Sequence, residues 1–212
     1  MAVDLPGHGD ALGAADSDLW ASADHLVAVG GPATYIGYSM GGRVALHAAL
    51  AHPDAVQGLV LIGATAGIDD DDERAARRAA DDRLAARIES IGVEAFVDEW
   101  LTNALFAGLT ADSARRADRL RNTAAGLAAS LRSTGTGTQE PLWSRLGSIT
   151  APVLVLAGER DPKFCELGAR LAASLPDGRF ETVSDAGHTV HLEQPEATAD
   201  AIASWFRSTA RR

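Results

Sequence analysis

The chain has 212 residues, enough to bury a core of its own, and its 46% hydrophobic and 23% charged content is that of an ordinary globular domain. A formal net charge of −10 argues against a general nucleic-acid or anionic-membrane surface, but not against a small anionic substrate held by a few arginines turned into a pocket. No run of about 18 apolar residues marks a membrane span. The opening MAVDLPGHGD has no signal-peptide pattern, and the lone Cys165 cannot close an internal disulfide, so a cytoplasmic chain is expected.

Taken in chain order, short apolar runs rich in β-branched residues alternate with helical patterns. Strands are predicted at 2–4, 33–38, 56–64, 152–158 and 179–184, and helices near 17–29, 41–51, 163–174 and 195–210. This is an α/β domain with a mostly parallel sheet. Between about 67 and 145 the pattern changes to acidic and arginine-rich helical segments with no strand, which reads as a helical lid over the strand ends. The expected division is therefore a core in two parts, 1–66 and 146–212, around a lid at 67–145. The aspartate run 69–72 is read as a solvated helix start, where negative charge suits the helix dipole.

Gly37-Tyr38-Ser39-Met40-Gly41 matches G-x-S-x-G between a predicted strand and a predicted helix, the context a nucleophile elbow requires. Glycines in it let backbone and neighbouring elements approach where a Cβ would clash. Ser39 would project from the sheet, with the Met40 amide at a helix N-terminus as an oxyanion donor. A serine hydroxyl needs a histidine and a carboxylate to act, and the chain order for this architecture is Ser, Asp or Glu, then His. Asp161 follows the strand of VLVLAGERDPKF, and His188 follows the last strand in VSDAGHTVHLEQP, with Gly187 expected to free the turn. Both lie beyond C-terminal strand ends, where open α/β sheets place their chemistry. His25, His47 and His52 are read as surface or packing residues, His8 as a loop former, and His191 as either a site-lining or a structural residue. Cys165 is not expected in catalysis. No spacing of His, Cys and carboxylates suggests a metal, and no cofactor is expected.

By these residues, from VDLPGHGDA to the last helix, the chain resembles the α/β-hydrolase superfamily. The stretches GYSMGGRVAL, ERAARRAADDRLAARIE, EAFVDEWLTNALF, STGTGTQEPLW, LAGERDPKF and AGHTVHLEQPE are most similar to the 2-succinyl-6-hydroxy-2,4-cyclohexadiene-1-carboxylate synthases of menaquinone biosynthesis. The resemblance implies a lyase that eliminates pyruvate from an enolpyruvyl-cyclohexene carboxylate. Ser39, with His188 and Asp161, would then be a base rather than a nucleophile. It further implies a substrate-binding set of Tyr38, Arg43, Arg77, Trp100 and Arg121, in which the arginines grip carboxylates. The position of Arg77 stays open against Arg74 and Arg78.

Against the family pattern the chain starts at the fourth strand. The resemblance implies that about 30–50 residues, with the earlier strands and a loop supplying a second oxyanion amide, belong ahead of an internal Met1. Without them the third strand of the family's sheet leaves a gap beside the strand leading to Ser39. Two other readings share the residues: a serine hydrolase acting on a small ester or thioester, and a non-catalytic fragment.

Overall fold

The computed structural model describes residues 1–11 and 17–209. Four strands form one parallel sheet in the order β1 (Ala33–Tyr38), β2 (Val56–Ile62), β3 (Val153–Gly158) and β4 (Gly178–Val183). Sequence order and spatial order coincide, so each new strand is added on the same side.

The two central strands show why helices must cover both faces. Their side chains alternate: Leu59, Leu61, Val153 and Val155 enter one cluster, whereas Val60, Ile62, Leu154 and Leu156 enter another. The first face is covered by α1 (Leu19–Gly30), α2 (Met40–Ala51) and α6 (Pro162–Ala173), through Leu19, Val44, Leu46 and Leu171. The second is covered by α7 (Val190–Glu193) and α8 (Pro195–Thr209), through Val190 and Trp205. Residue 210, the expected end of the last helix, lies outside the described residues.

Between β2 and β3 the chain is helical. It forms α3 (Asp71–Trp100), α4 (Arg116–Arg119) and α5 (Ala124–Thr134), with 3₁₀ turns at Ala104–Phe106 and Trp143–Ser148. The aspartate run starts α3 as expected: Asp70 is the N-cap and accepts from the Glu73 N–H at 2.8 Å, with Asp71, Asp72 and Glu73 in the first turn. The helix is kinked at Gly92, whose φ of 81° and ψ of 167° are not helical. Ala85, Ile88, Phe96 and Ala128 form a small hydrophobic cluster that joins α3 to α5, separate from the two sheet clusters. We refer to this region as the lid.

Two expectations need correction. Residues 2–4 are not a strand. A strand exists through its ladder hydrogen bonds, and none of the four strands pairs with this segment. Asp4 instead accepts from the Asp10 N–H at 2.9 Å. The second strand stops at Ile62 rather than 64 because Gly63 turns the chain with φ 55°.

Candidate active site

β1 delivers Ser39 and α2 begins at the next residue. Ser39 has φ 48° and ψ −108°, a conformation L-residues rarely adopt, fixed in part by its N–H donating to the Ile62 carbonyl at 2.8 Å. The motif glycines differ in their reasons. A Cβ on Gly37 would overlap the backbone of Gly41 and Gly42, whereas Gly41 itself faces open space. It is Gly42, one residue beyond the motif, whose Cβ would sit 2.6 Å from Ala64. As the first residue of α2, Met40 presents an amide with no intrahelical acceptor.

His188 Nδ1 lies 2.8 Å from Asp161 Oδ2, with both side chains buried. Asp161 also caps α6, accepting from the Phe164 N–H at 3.2 Å. Burial pushes its carboxyl up, but the hydrogen bonds from His188 and Phe164 outweigh that and hold it below the usual carboxylate range. The imidazole is wedged between the Tyr38 and Phe164 rings, at centroid distances of 5.4 and 4.4 Å. Behind it, a Cβ on Gly63 would stand 2.9 Å from His188 Cε1. The turn before His188 is made by Asp185, with φ 56°, and not by Gly187 as expected.

Ser39 and His188 line one cavity of about 470 Å³ beneath the lid, together with Tyr38, Met40, Arg43, Arg77 and Trp100. Arg43 is buried; it donates to the Thr134 carbonyl at 2.6 Å and, weakly, to Gln139 at 3.4 Å. Desolvation, with Arg77 adding to it and Asp81 opposing, lowers its pKa to about 10. Arg77 donates to the buried Asp81 at 2.8 Å while its own side chain is 45% exposed. Of the three candidate arginines Arg77 lines the cavity, whereas Arg74 turns back to the Ile68 carbonyl and Arg78 to the Gly137 carbonyl. Trp100 stacks on Phe96 at 5.6 Å and meets Phe106 at 5.8 Å, giving the cavity an aromatic wall.

Arg121 is not brought to this cavity. Its guanidinium is 3.1 Å from both Asp4 and Asp10. Its neighbour Arg119 lines the cavity instead, with its guanidinium 5.2 Å over the Phe106 ring and donating to the Ala114 carbonyl at 2.9 Å. Sequence reasoning missed it, along with Asn122 and His8, which also line the cavity. Their signal was weak: Arg119 ends a four-residue helix and Arg121 lies two residues beyond it, so no periodicity chooses between them. Burial raises the Tyr38 phenol well above the ordinary tyrosine range and, with Arg119 and His188 adding to it, lowers the His191 imidazole.

Sheet, elbow and the His188–Asp161 pair define the class. Residues 1–201 match the alpha/beta hydrolase family, and the chain belongs to it. Among its relatives is the 2-succinyl-6-hydroxy-2,4-cyclohexadiene-1-carboxylate synthase of Citrobacter koseri (strain ATCC BAA-895 / CDC 4225-83 / SGSC4696), 36% identical over 97% of this chain and 82% of that protein. A Bacillus subtilis (strain 168) relative is 43% identical over 82% of this chain, and the match spans 65% of the relative's length. MenH from S. aureus is similar in structure, with a TM-score of 0.91 and 32% identity over 97% of this chain and 82% of that one. A thermophilic esterase from Thermogutta terrifontis has a TM-score of 0.78 and 26% identity over 97% and 78% of the two chains. Among the described residues no helix is long and apolar enough to cross a membrane.

Proposed function

We propose that the chain is a carbon–oxygen lyase that releases pyruvate from an enolpyruvyl-cyclohexene carboxylate, giving 2-succinyl-6-hydroxy-2,4-cyclohexadiene-1-carboxylate. The observation that carries this reading is the set of three cationic side chains, Arg43, Arg77 and Arg119, around the cavity that holds Ser39 and His188. A substrate with several carboxylates gives all of them a purpose, since a guanidinium fork pairs with a carboxylate in two parallel hydrogen bonds. The relatives named as synthases of this product support the same choice.

In this reading Asp161 orients His188, His188 takes the Ser39 hydroxyl proton, and Ser39 removes the proton on the carbon beside the succinyl ketone. Charge moves to the ketone oxygen, to which the Met40 N–H would donate. The enolate then collapses, the carbon–oxygen bond to the enolpyruvyl group breaks, and the departing group takes a proton and becomes pyruvate. No acyl-enzyme forms. Among the described residues the Ser39 hydroxyl makes no hydrogen bond to His188, a contact that often tightens only with substrate in place.

The esterase neighbour and the apolar part of the wall, Leu84, Ile88 and Leu131, favour a second reading as a hydrolase of a small ester. Pyruvate release from the cyclohexene substrate, followed with a lactate dehydrogenase couple, separates the two. Turnover of it with none of p-nitrophenyl acetate supports the lyase; the reverse supports the hydrolase.

A further inference from the structure

We propose that Glu193 is a positioning residue that fixes the His188 loop and joins it mechanically to the lid at Gly108. The backbone amides on either side of His188 both donate to this one carboxylate: Gly187 N–H at 2.7 Å to Oε2, and Thr189 N–H at 3.0 Å to Oε1. The Thr189 hydroxyl donates to Oε1 as well, at 2.7 Å. Thr189 is the N-cap of α7 and Glu193 its last residue, so the side chain reaches back over its own helix as a capping-box glutamate does. The His188 peptide cannot rotate without breaking one of these bonds, each charge-assisted and therefore among the stronger kind.

The same carboxylate also faces the lid. Gly108 lies between the 3₁₀ turn at Ala104–Phe106 and α4, and a Cβ there would overlap Glu193 Oε2. Leu105, three residues earlier, lines both the main cavity and a second one of about 370 Å³ that is bounded by Gly108, Asp161, His188 and Glu193. A shift of the lid at 105–108 therefore presses on the group that sets the angle of the imidazole. A cap that only stabilised α7 would need neither the Gly187 bond nor the bare glycine opposite.

The inference uses the reading of His188 as the proton carrier but not the identity of the substrate. The test combines catalysis with a substrate-free readout, in protein labelled with ¹³Cε1-histidine whose His188 signal is the one lost in His188→Gln. Glu193→Gln, which removes the charge and turns an N–H toward one of the donors, is expected to lower kcat about ten- to a hundred-fold with KM little changed, and to move the His188 signal. Gly108→Ala is expected to do the same in the parent chain and to add little in a Glu193→Ala background, the non-additivity of residues in contact. Should Glu193→Gln fail to fold, the His188 signal in Gly108→Ala decides by itself. An unmoved signal in the folded variants, or an equal effect of Gly108→Ala in both backgrounds, overturns the proposal. Because the signal needs no substrate, absence of pyruvate release would refute the lyase reading and leave this one standing.

Discussion

Arg43 is a buried cation on the cavity wall. Its guanidinium, held at about 10 by burial, is charged at neutral pH and loses that charge well before an exposed arginine would. If it holds a substrate carboxylate, kcat/KM should fall as pH rises through about 10, because that ratio reports the free enzyme. Arg43→Ala should lower kcat/KM about ten- to a hundred-fold, the worth of one charged hydrogen bond of about 1.5–3 kcal/mol. An unchanged ratio removes Arg43 from substrate binding. Asp161 carries the opposite dependence. Its folded-state pKa is depressed, so the stability it contributes is present above the ordinary aspartate value and is lost as pH falls through the folded one. Urea unfolding of the parent chain and Asp161→Asn should therefore differ clearly at pH 7 and converge in acid. The positions of Ser39, Asp161 and His188 at one end of the sheet were legible because each follows a strand end in a fixed order. Gly63 was not, because its reason is an imidazole from a loop more than a hundred residues away. Gly63→Ala forces a side chain into a left-handed turn, a strain of about 1–2 kcal/mol, and against His188 Cε1, and should cost both melting temperature and kcat.

At the scale of elements, length decided what could be read. α3 is long, and its run of helix-forming acidic residues, arginines and alanines without a strand pattern marked it as helical; its i,i+4 pair of Arg77 and Asp81 leaves Arg77 on the cavity side. α4 has four residues and follows Arg115 in a left-handed conformation, so no pattern in DRLRNT says which arginine turns inward. The structure separates them into a testable pair. Arg119→Ala should raise KM about ten-fold or more, by the same charged-bond estimate, while Arg121→Ala should leave KM where it is; the reverse result would restore the sequence-based assignment. The four strands were legible from their β-branched runs within two residues. The segment at 2–4 failed because pairing is a property of two segments and local composition describes one.

For the whole molecule, the sheet ends at β1 with its outer edge unpaired among the described residues, and Ile36 on that strand is 55% exposed. Such edges invite pairing with other chains, so Ile36→Lys should lower light scattering on concentration while leaving the far-UV spectrum intact. The apolar run by itself does not tell an edge strand of this kind from a central one, since both carry it. Residues 4–10 are also tied into the architecture. Arg121 binds Asp4 and Asp10, the Gly9 N–H donates to Asn122 at 3.1 Å, and Gly126 leaves no room for a Cβ against the Gly7 carbonyl. Besides the Arg43 bond to Thr134, the lid thus has footings on the His188 loop and on residues 4–10. Tags, truncations or proteolytic nicks placed in that short stretch would loosen a foundation of the roof over the cavity, and an expression choice made at the front of the chain becomes a choice about how the substrate is enclosed.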